Sequence, residues 1–172
     1  LELLAAGPTE LTSADDAALR AIAYDPCLAL MVPMGEPSGL PDPGAIAPQR
    51  GPIDWIADNR AKGISAGHGI TIHADAAFSA AHWEAPDARV VDVLLRSVGE
   101  LIGAAPVPAG EVSVQRWRYA RPSAPHPDRC LVASRLPPLV FAGDAFGEAK
   151  VEGAVRSGAA AAVAVRDLLA DR

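Results

Sequence analysis

The sequence predicts a mixed fold, α+β passing into α/β: an antiparallel sheet with packed helices, followed by one strand and one long helix of the parallel-sheet kind. Three observations predict it. Short apolar runs over 27–34, 53–57 and 69–73 are separated by turn residues, as strands are. An apolar stripe over 90–102 repeats at helical spacing. The chain then closes on a continuous apolar run, a Gly-Asp pair and an Ala-rich helix.

Each element has its own local reason. Thr12 and Ser13 precede Asp15 and Asp16, then Ala17, Leu19 and Ile22, which describes a capped helix with acidic residues at the positive end of its dipole, ending near Ala23. Cys27 to Met34 is almost wholly apolar and stops at Pro33 and Gly35, as a buried strand does. From Glu36 to Pro52 come Pro37, Gly39, Pro41, Pro43, Gly44, Pro48, Gly51 and Pro52, a density that predicts an exposed insertion or lid without regular structure. Ile53–Ala57 and Gly69–His73 suit antiparallel strands of a hairpin-like meander, with Gly63, Gly67 and Gly69 supplying the turns.

Pro86 and Asp87 introduce a helix whose Val90, Val91, Leu94, Leu95, Val98, Leu101 and Ile102 form one face, with Gly103 placed to end it. That face must be buried, and the preceding sheet is the expected partner. In Glu111–Tyr119 the side chains alternate. Val112 and Val114 share one face, while Ser113, Gln115, Trp117 and Tyr119 share the other, so Trp117 and Tyr119 either wall a pocket or pack beneath a loop.

Composition narrows the function classes. The chain has 172 residues, half of them hydrophobic, enough for one domain or parts of two. With 15 Lys and Arg against 21 Asp and Glu, its field repels nucleic acid and anionic membranes. Cys27 and Cys130 lie far apart without a CxxC pair, which predicts neither a disulfide framework nor a metal site and suits a reduced cytoplasm. No apolar run approaches the roughly 20 residues that span a bilayer. The opening at Leu1, with no Met and no signal-peptide pattern, reads as a piece cut from a longer protein. His68, His73, His82 and His126 have no metal spacing and read as surface or structural residues, and neither Ser79 nor Ser157 sits in G-x-S-x-G, so hydrolysis is set aside.

The chemistry gathers near the end of the chain. Leu139 to Gly143, after Leu136-Pro137-Pro138, reads as a strand buried on both faces. The following helix carries Val151, Ala154, Val155, Gly158, Ala161, Ala162, Val165, Leu168 and Leu169 as its apolar stripe, and Ala154, Gly158 and Ala161 allow close approach to a sheet or ligand. Free N–H groups near Val151 to Ala154 suit a phosphate or a polarised ring oxygen. Asp144, at a strand's carboxyl end, suits hydrogen bonds from sugar or sugar-alcohol hydroxyls. Lys150 and Glu152 flank the helix start, either as a counter-charge to a reduced ring and a helix-dipole partner or as a solvated pair. Arg116 and Arg118 either face solvent or anchor an anionic substrate, and Asn59 is a candidate pocket amide.

Phe-Ala-Gly-Asp-Ala-Phe at 141–146, followed by Lys-Val-Glu-Gly-Ala-Val-Arg-Ser-Gly at 150–158, resembles the carboxy-terminal flavin motif of FAD-dependent amine-oxidase-like enzymes. Gln115 to Ala120 and Tyr24 to Leu30 resemble stretches of the bacterial renalase-like branch. The resemblance implies FAD as cofactor, with Gly143 and Asp144 toward the ribitol-pyrophosphate and Val151, Glu152, Gly153 and Ala154 toward the isoalloxazine, and with Ala145 and Lys150 counted among the cofactor-binding residues. It implies a substrate domain over 10–135 and, over 136–172, the strand and helix of a truncated Rossmann-like FAD-binding domain. It also implies oxidation of an amine or a dihydropyridine nucleotide by hydride transfer to FAD, with oxygen taking the electrons. The family's G-x-G-x-x-G unit has no counterpart here, since Gly67-His68-Gly69 lacks the third glycine. The expected partners are therefore a small-molecule substrate and an amino-terminal dinucleotide-binding segment of the same protein, and this segment alone is expected to be inactive. The competing reading is a binding or structural module that keeps the fold without cofactor.

Overall fold

A computed structural model describes residues 10–135 and 139–170. These fall into two compact units, one running to Asp25 and resuming at Arg121, the other Pro26–Ala120. The sequence division at 135/136 lies inside the first unit, and the Leu136-Pro137-Pro138 stop lies outside the described residues.

The second unit is built on an antiparallel ladder. Strands β1 (Ala23–Pro33), β2 (Ala45–Ile46), β3 (Ile53–Asp58), β4 (Gly69–Ala74) and β5 (Ser113–Ala124) form a sheet in the order β2-β3-β4-β1-β5. Leu30 pairs with Ile72, which pairs with Ile56, so three fully buried aliphatic side chains stand in one cross-strand row. Leu28, Val32 and Ile70 flank that row, and helix α3 (Asp87–Ile102) lays Val90, Leu94 and Val98 on it, with α2 (Ala76–Ala81) adding Phe78. The expected helix therefore buries its expected face on the sheet. Leu101 is the exception and is exposed. Gly103 ends α3 at φ +82°, where its N–H reaches the Gly99 carbonyl at 2.9 Å, a left-handed cap that favours glycine.

Two features go beyond the sequence reading. Residues 36–52 are mostly exposed, as expected, but they are not without regular structure. Ser38 and Gly44 are buried, Asp58 N–H bonds the Gly44 carbonyl at 2.8 Å, and Ala45–Ile46 add the edge strand β2. Asp58 organises the corner: it accepts Ser38 Oγ at 2.6 Å and the Arg60 and Ala61 amides at 2.8 and 3.0 Å. Burial opposes its ionisation, yet these donors and His68 hold the carboxyl below its ordinary range. The short α2 was not predicted, because its stripe is too brief to show a period; Asp75 caps it by accepting the Phe78 amide at 2.6 Å.

The first unit holds helix α1 (Ser13–Arg20), the two-residue strands β6 (Leu131–Val132) and β7 (Val140–Phe141), and helix α4 (Lys150–Ala170). Thr12 caps α1 as expected, accepting the Asp15 amide at 3.1 Å and donating its hydroxyl back to Asp15 at 2.7 Å. Asp15 also accepts the Ser134 amide and hydroxyl at 3.0 and 3.2 Å, joining α1 to a segment 119 residues away. The strand expected to be buried on both faces in a parallel sheet is instead half-buried and pairs antiparallel with β6, because among the described residues a ladder partner stands on one side alone.

The apolar stripe expected along α4 is buried only in part, with Ala154, Ala161 and Leu168 half-buried and the rest exposed. Gly153 and Ser157 are the helix's buried residues, while Val151 is 81% exposed and Val155 67%. Two contacts set the rotation of the helix. Gly153 lies so close to the Glu148 carbonyl that a Cβ would sit 1.7 Å from the oxygen, and Ser157 Oγ accepts the Gly143 amide at 2.9 Å.

Gly153→Ala is expected to destabilise this unit by about 3 kcal/mol or displace the 143–149 loop, since backbone atoms cannot yield as a side chain does; urea melts measure it, and an unchanged midpoint contradicts it. Thr12 and Ser134 hold the Asp15 carboxyl below its ordinary range against the cost of burial. A depressed carboxylate contributes stability above its unfolded pKa that is lost as pH falls through the folded one. Acid titration of stability is therefore expected to be flatter for Asp15→Asn than for the natural chain, and parallel curves contradict the assignment.

Candidate functional site

A concavity of the first unit forms where β7 turns into α4. The turn is anchored from beneath. His126 N–H bonds the Ala145 carbonyl and Gly147 N–H bonds the His126 carbonyl, each at 2.8 Å, and the His126 ring lies 5.4 Å from that of Phe146. Ala145 and Phe146 are buried with Leu131 against Leu19, Ile22, Tyr24 and Phe141. With those two side chains turned inward, Asp144 is left at the cavity side.

The cavity has a volume of about 490 Å³ and is open to solvent. Asp144, Lys150, Val151, Ala154 and Val155 line it. Lys150 begins the helix at φ +82°, a left-handed conformation that is uncommon for a residue with a side chain. The first turn of α4 borders the space with its unpaired amides and positive dipole end. Its lining thus joins apolar side chains to a hydrogen-bond acceptor and a cation. That combination suits a ligand with an apolar ring, hydroxyls and a polarised or anionic edge.

Asp144 has a defined orientation. Tyr24, at the start of β1, donates its hydroxyl to Asp144 Oδ1 at 3.1 Å. Burial, and then the hydrogen bond and charge of Asp144, raise the Tyr24 phenol above its ordinary range. Its stabilising contact is thus complete below the ordinary tyrosine pKa and is lost only as pH rises through the raised value.

Of the residues proposed from sequence, Asp144, Lys150, Val151 and Ala154 come together on this cavity. Gly143 holds φ +149°, and its amide is taken by Ser157. Ala145 is core. Gly153 is accounted for by its packing on Glu148, and Glu152 pairs with Arg156 at 2.5 Å. Sequence reasoning missed Tyr24 as a site residue, because its partner is 120 residues away and no local pattern signals it. It also missed Ser157, whose one visible signal is a hydroxyl four residues after Gly153 on the narrow face.

The second unit holds the remaining candidates. Val112 and Val114 pack on the core, which leaves Trp117 and Tyr119 on the other face, 58% and 74% exposed rather than tucked beneath a loop. Asn59 Oδ1 accepts the Thr71 hydroxyl at 3.1 Å. The arginines are structural. Arg116 reaches the Trp83 and Ala85 carbonyls and Asp87, and the Arg118 guanidinium lies 5.0 Å from the Trp83 ring centroid. Ser79 is fully buried and accepts the Leu28 amide, while His82 stacks on Phe78, so this pair forms no nucleophile and base. Among the described residues no helix is long and apolar enough to cross a membrane.

Residues 57–166 match the family model of the flavin-containing amine oxidoreductases, a span of well over half the chain that takes in β4, α3, β5 and the whole turn from β7 into α4.

Ser157→Ala is expected to cost about 1–3 kcal/mol, because the Gly143 amide loses its acceptor. It should also raise hydrogen exchange at Gly143 selectively. Exchange no faster than in the natural chain argues against the bond.

Proposed function

Since this chain belongs to the flavin-containing amine oxidoreductases, we propose that the cavity at the start of α4 receives the ribityl chain and ring of FAD. The chain then serves as the carboxy-terminal part of a renalase-like enzyme. That enzyme transfers a hydride from a small substrate, an amine or a dihydropyridine nucleotide, with O2 as the final acceptor. The observation that carries the reading is the joint placement of Asp144 and the α4 amino terminus on one cavity.

When bound, the flavin supplies a two-electron acceptor. The protein's part is orientation and charge. Asp144 accepts hydrogen bonds from ribityl hydroxyls, the unpaired first-turn amides of Val151 and Glu152 polarise a ring oxygen, and Lys150 offsets negative charge at the ring edge. Gly143 and Ala145 shape the turn, and Glu152 favours the dipole while paired to Arg156. Trp117, Tyr119 and Asn59 are proposed as substrate contacts, supported by the exposed aromatic faces of the first two. A dinucleotide-binding segment carrying G-x-G-x-x-G is proposed to hold the adenosine half, as the exposed Val151 and Val155 face of α4 supports.

Titration with riboflavin, followed by quenching of flavin fluorescence, tests the proposal. Saturable binding is expected, weakened about tenfold by Asp144→Ala in a chain whose circular dichroism shows the fold retained, the scale of a hydrogen bond to a charged acceptor. A chain that leaves the fluorescence untouched at every concentration overturns it.

A further inference from the structure

We infer that Tyr24 is a positioning residue for the ligand's hydroxylated chain: by occupying Asp144 Oδ1 it fixes the carboxylate so that Oδ2 is presented to a ribityl hydroxyl. This inference rests on the flavin reading of the cavity and adds a specificity determinant to it.

The argument begins with the freedom of an aspartate. A carboxylate on a turn samples rotamers, and each hydroxyl it is to accept then carries an ordering cost. Asp144 is fixed at one end. Tyr24 is its sole hydrogen-bond donor among the described residues, at 3.1 Å. The donor itself is rigid, because the Tyr24 ring packs with Leu19, Ile22 and Phe141 on the Leu131–Ala145–Phe146 cluster. A tyrosine hydroxyl has one proton to give, so it satisfies one oxygen and leaves the other with its lone pairs available. Asp144 lines the cavity and accepts no further donor from the described residues. Burial, and then the bond and charge of Asp144, hold the phenol above its ordinary range, which favours its protonated, donating form.

A purely structural role for Tyr24 predicts something different. A structural tyrosine affects all ligands of the cavity alike, whereas a positioning residue affects only those that carry the hydroxylated chain. Riboflavin and lumiflavin share the isoalloxazine ring and differ in the ribityl group, so the pair separates the two roles.

The experiment titrates the natural chain, Tyr24→Phe, Asp144→Ala and the double variant with riboflavin and with lumiflavin. Tyr24→Phe keeps the ring and its packing and removes the proton donor. It is expected to weaken riboflavin about five- to tenfold and to leave lumiflavin within twofold. In the double variant the Tyr24 change is expected to add nothing to Asp144→Ala, since its effect runs through that carboxylate. Equal weakening of both flavins, or none of either, overturns the inference while leaving flavin binding in place. Binding of neither flavin by the natural chain overturns the flavin reading and the inference with it. If Tyr24→Phe does not fold, 3-fluorotyrosine incorporated into Tyr119→Phe leaves Tyr24 as the one reporter, because the chain has two tyrosines. Its fluorine resonance is expected to shift with saturating riboflavin and not with lumiflavin, and identical responses to both overturn the inference.

Discussion

The site depends on a contact made by an absent side chain. Gly153 has no Cβ, so the first turns of α4 settle onto the carbonyl of Glu148, and Ser157 one turn later takes the amide of Gly143. Together these fix both the distance and the rotation of the helix relative to the turn that precedes it. Everything useful about the cavity follows. The helix start borders the space, Lys150 is committed to a left-handed backbone, and Asp144 shares the lining with them. Alanine or leucine at 153 would suit a helix better by intrinsic propensity, but only glycine permits the approach.

The same contact explains why α4 shows its larger apolar residues to solvent. A helix that buries Gly153 and Ser157 must turn Val151 and Val155 outward, since they lie on another face. Burial of the narrow face stabilises less by area than burial of a valine face would, at about 25 cal/mol per Å². It gains instead a hydrogen bond to the Gly143 amide and a rigid turn. Helix and turn thus form one unit of local architecture, in which the geometry of the backbone matters more than hydrophobic area.

The second unit is organised by the opposite principle. Its sheet and α3 meet through fully buried aliphatic side chains, with Leu30, Ile72 and Ile56 in cross-strand register beneath Leu94. Dense packing of this kind holds the strands rigid, and Trp117 and Tyr119 stand on the non-core face of β5. Arg116 and Arg118, which spacing left undecided, are engaged with Trp83, Ala85 and Asp87 at the turn that leads into α3.

The sequence by itself determined the elements whose signal is periodic or local: the capped α1, the β3–β4 hairpin, α3 with its Gly103 stop, the alternation along β5, and the Gly-Asp turn before the last helix. It also carried the span, residues 57–166, over which the chain matches its family. Period and capping are properties of neighbours in the chain, so they can be read without coordinates. Only the tertiary structure decided what depends on partners far apart. It gave Asp15 to Ser134 and Tyr24 to Asp144, joined β7 to β6 in antiparallel sense, drew the proline-rich stretch onto β3, and chose which face of α4 is buried. A helical stripe shows which residues share a face. Which face turns inward is set by steric fit, here by a carbonyl oxygen that leaves no room for a methyl group.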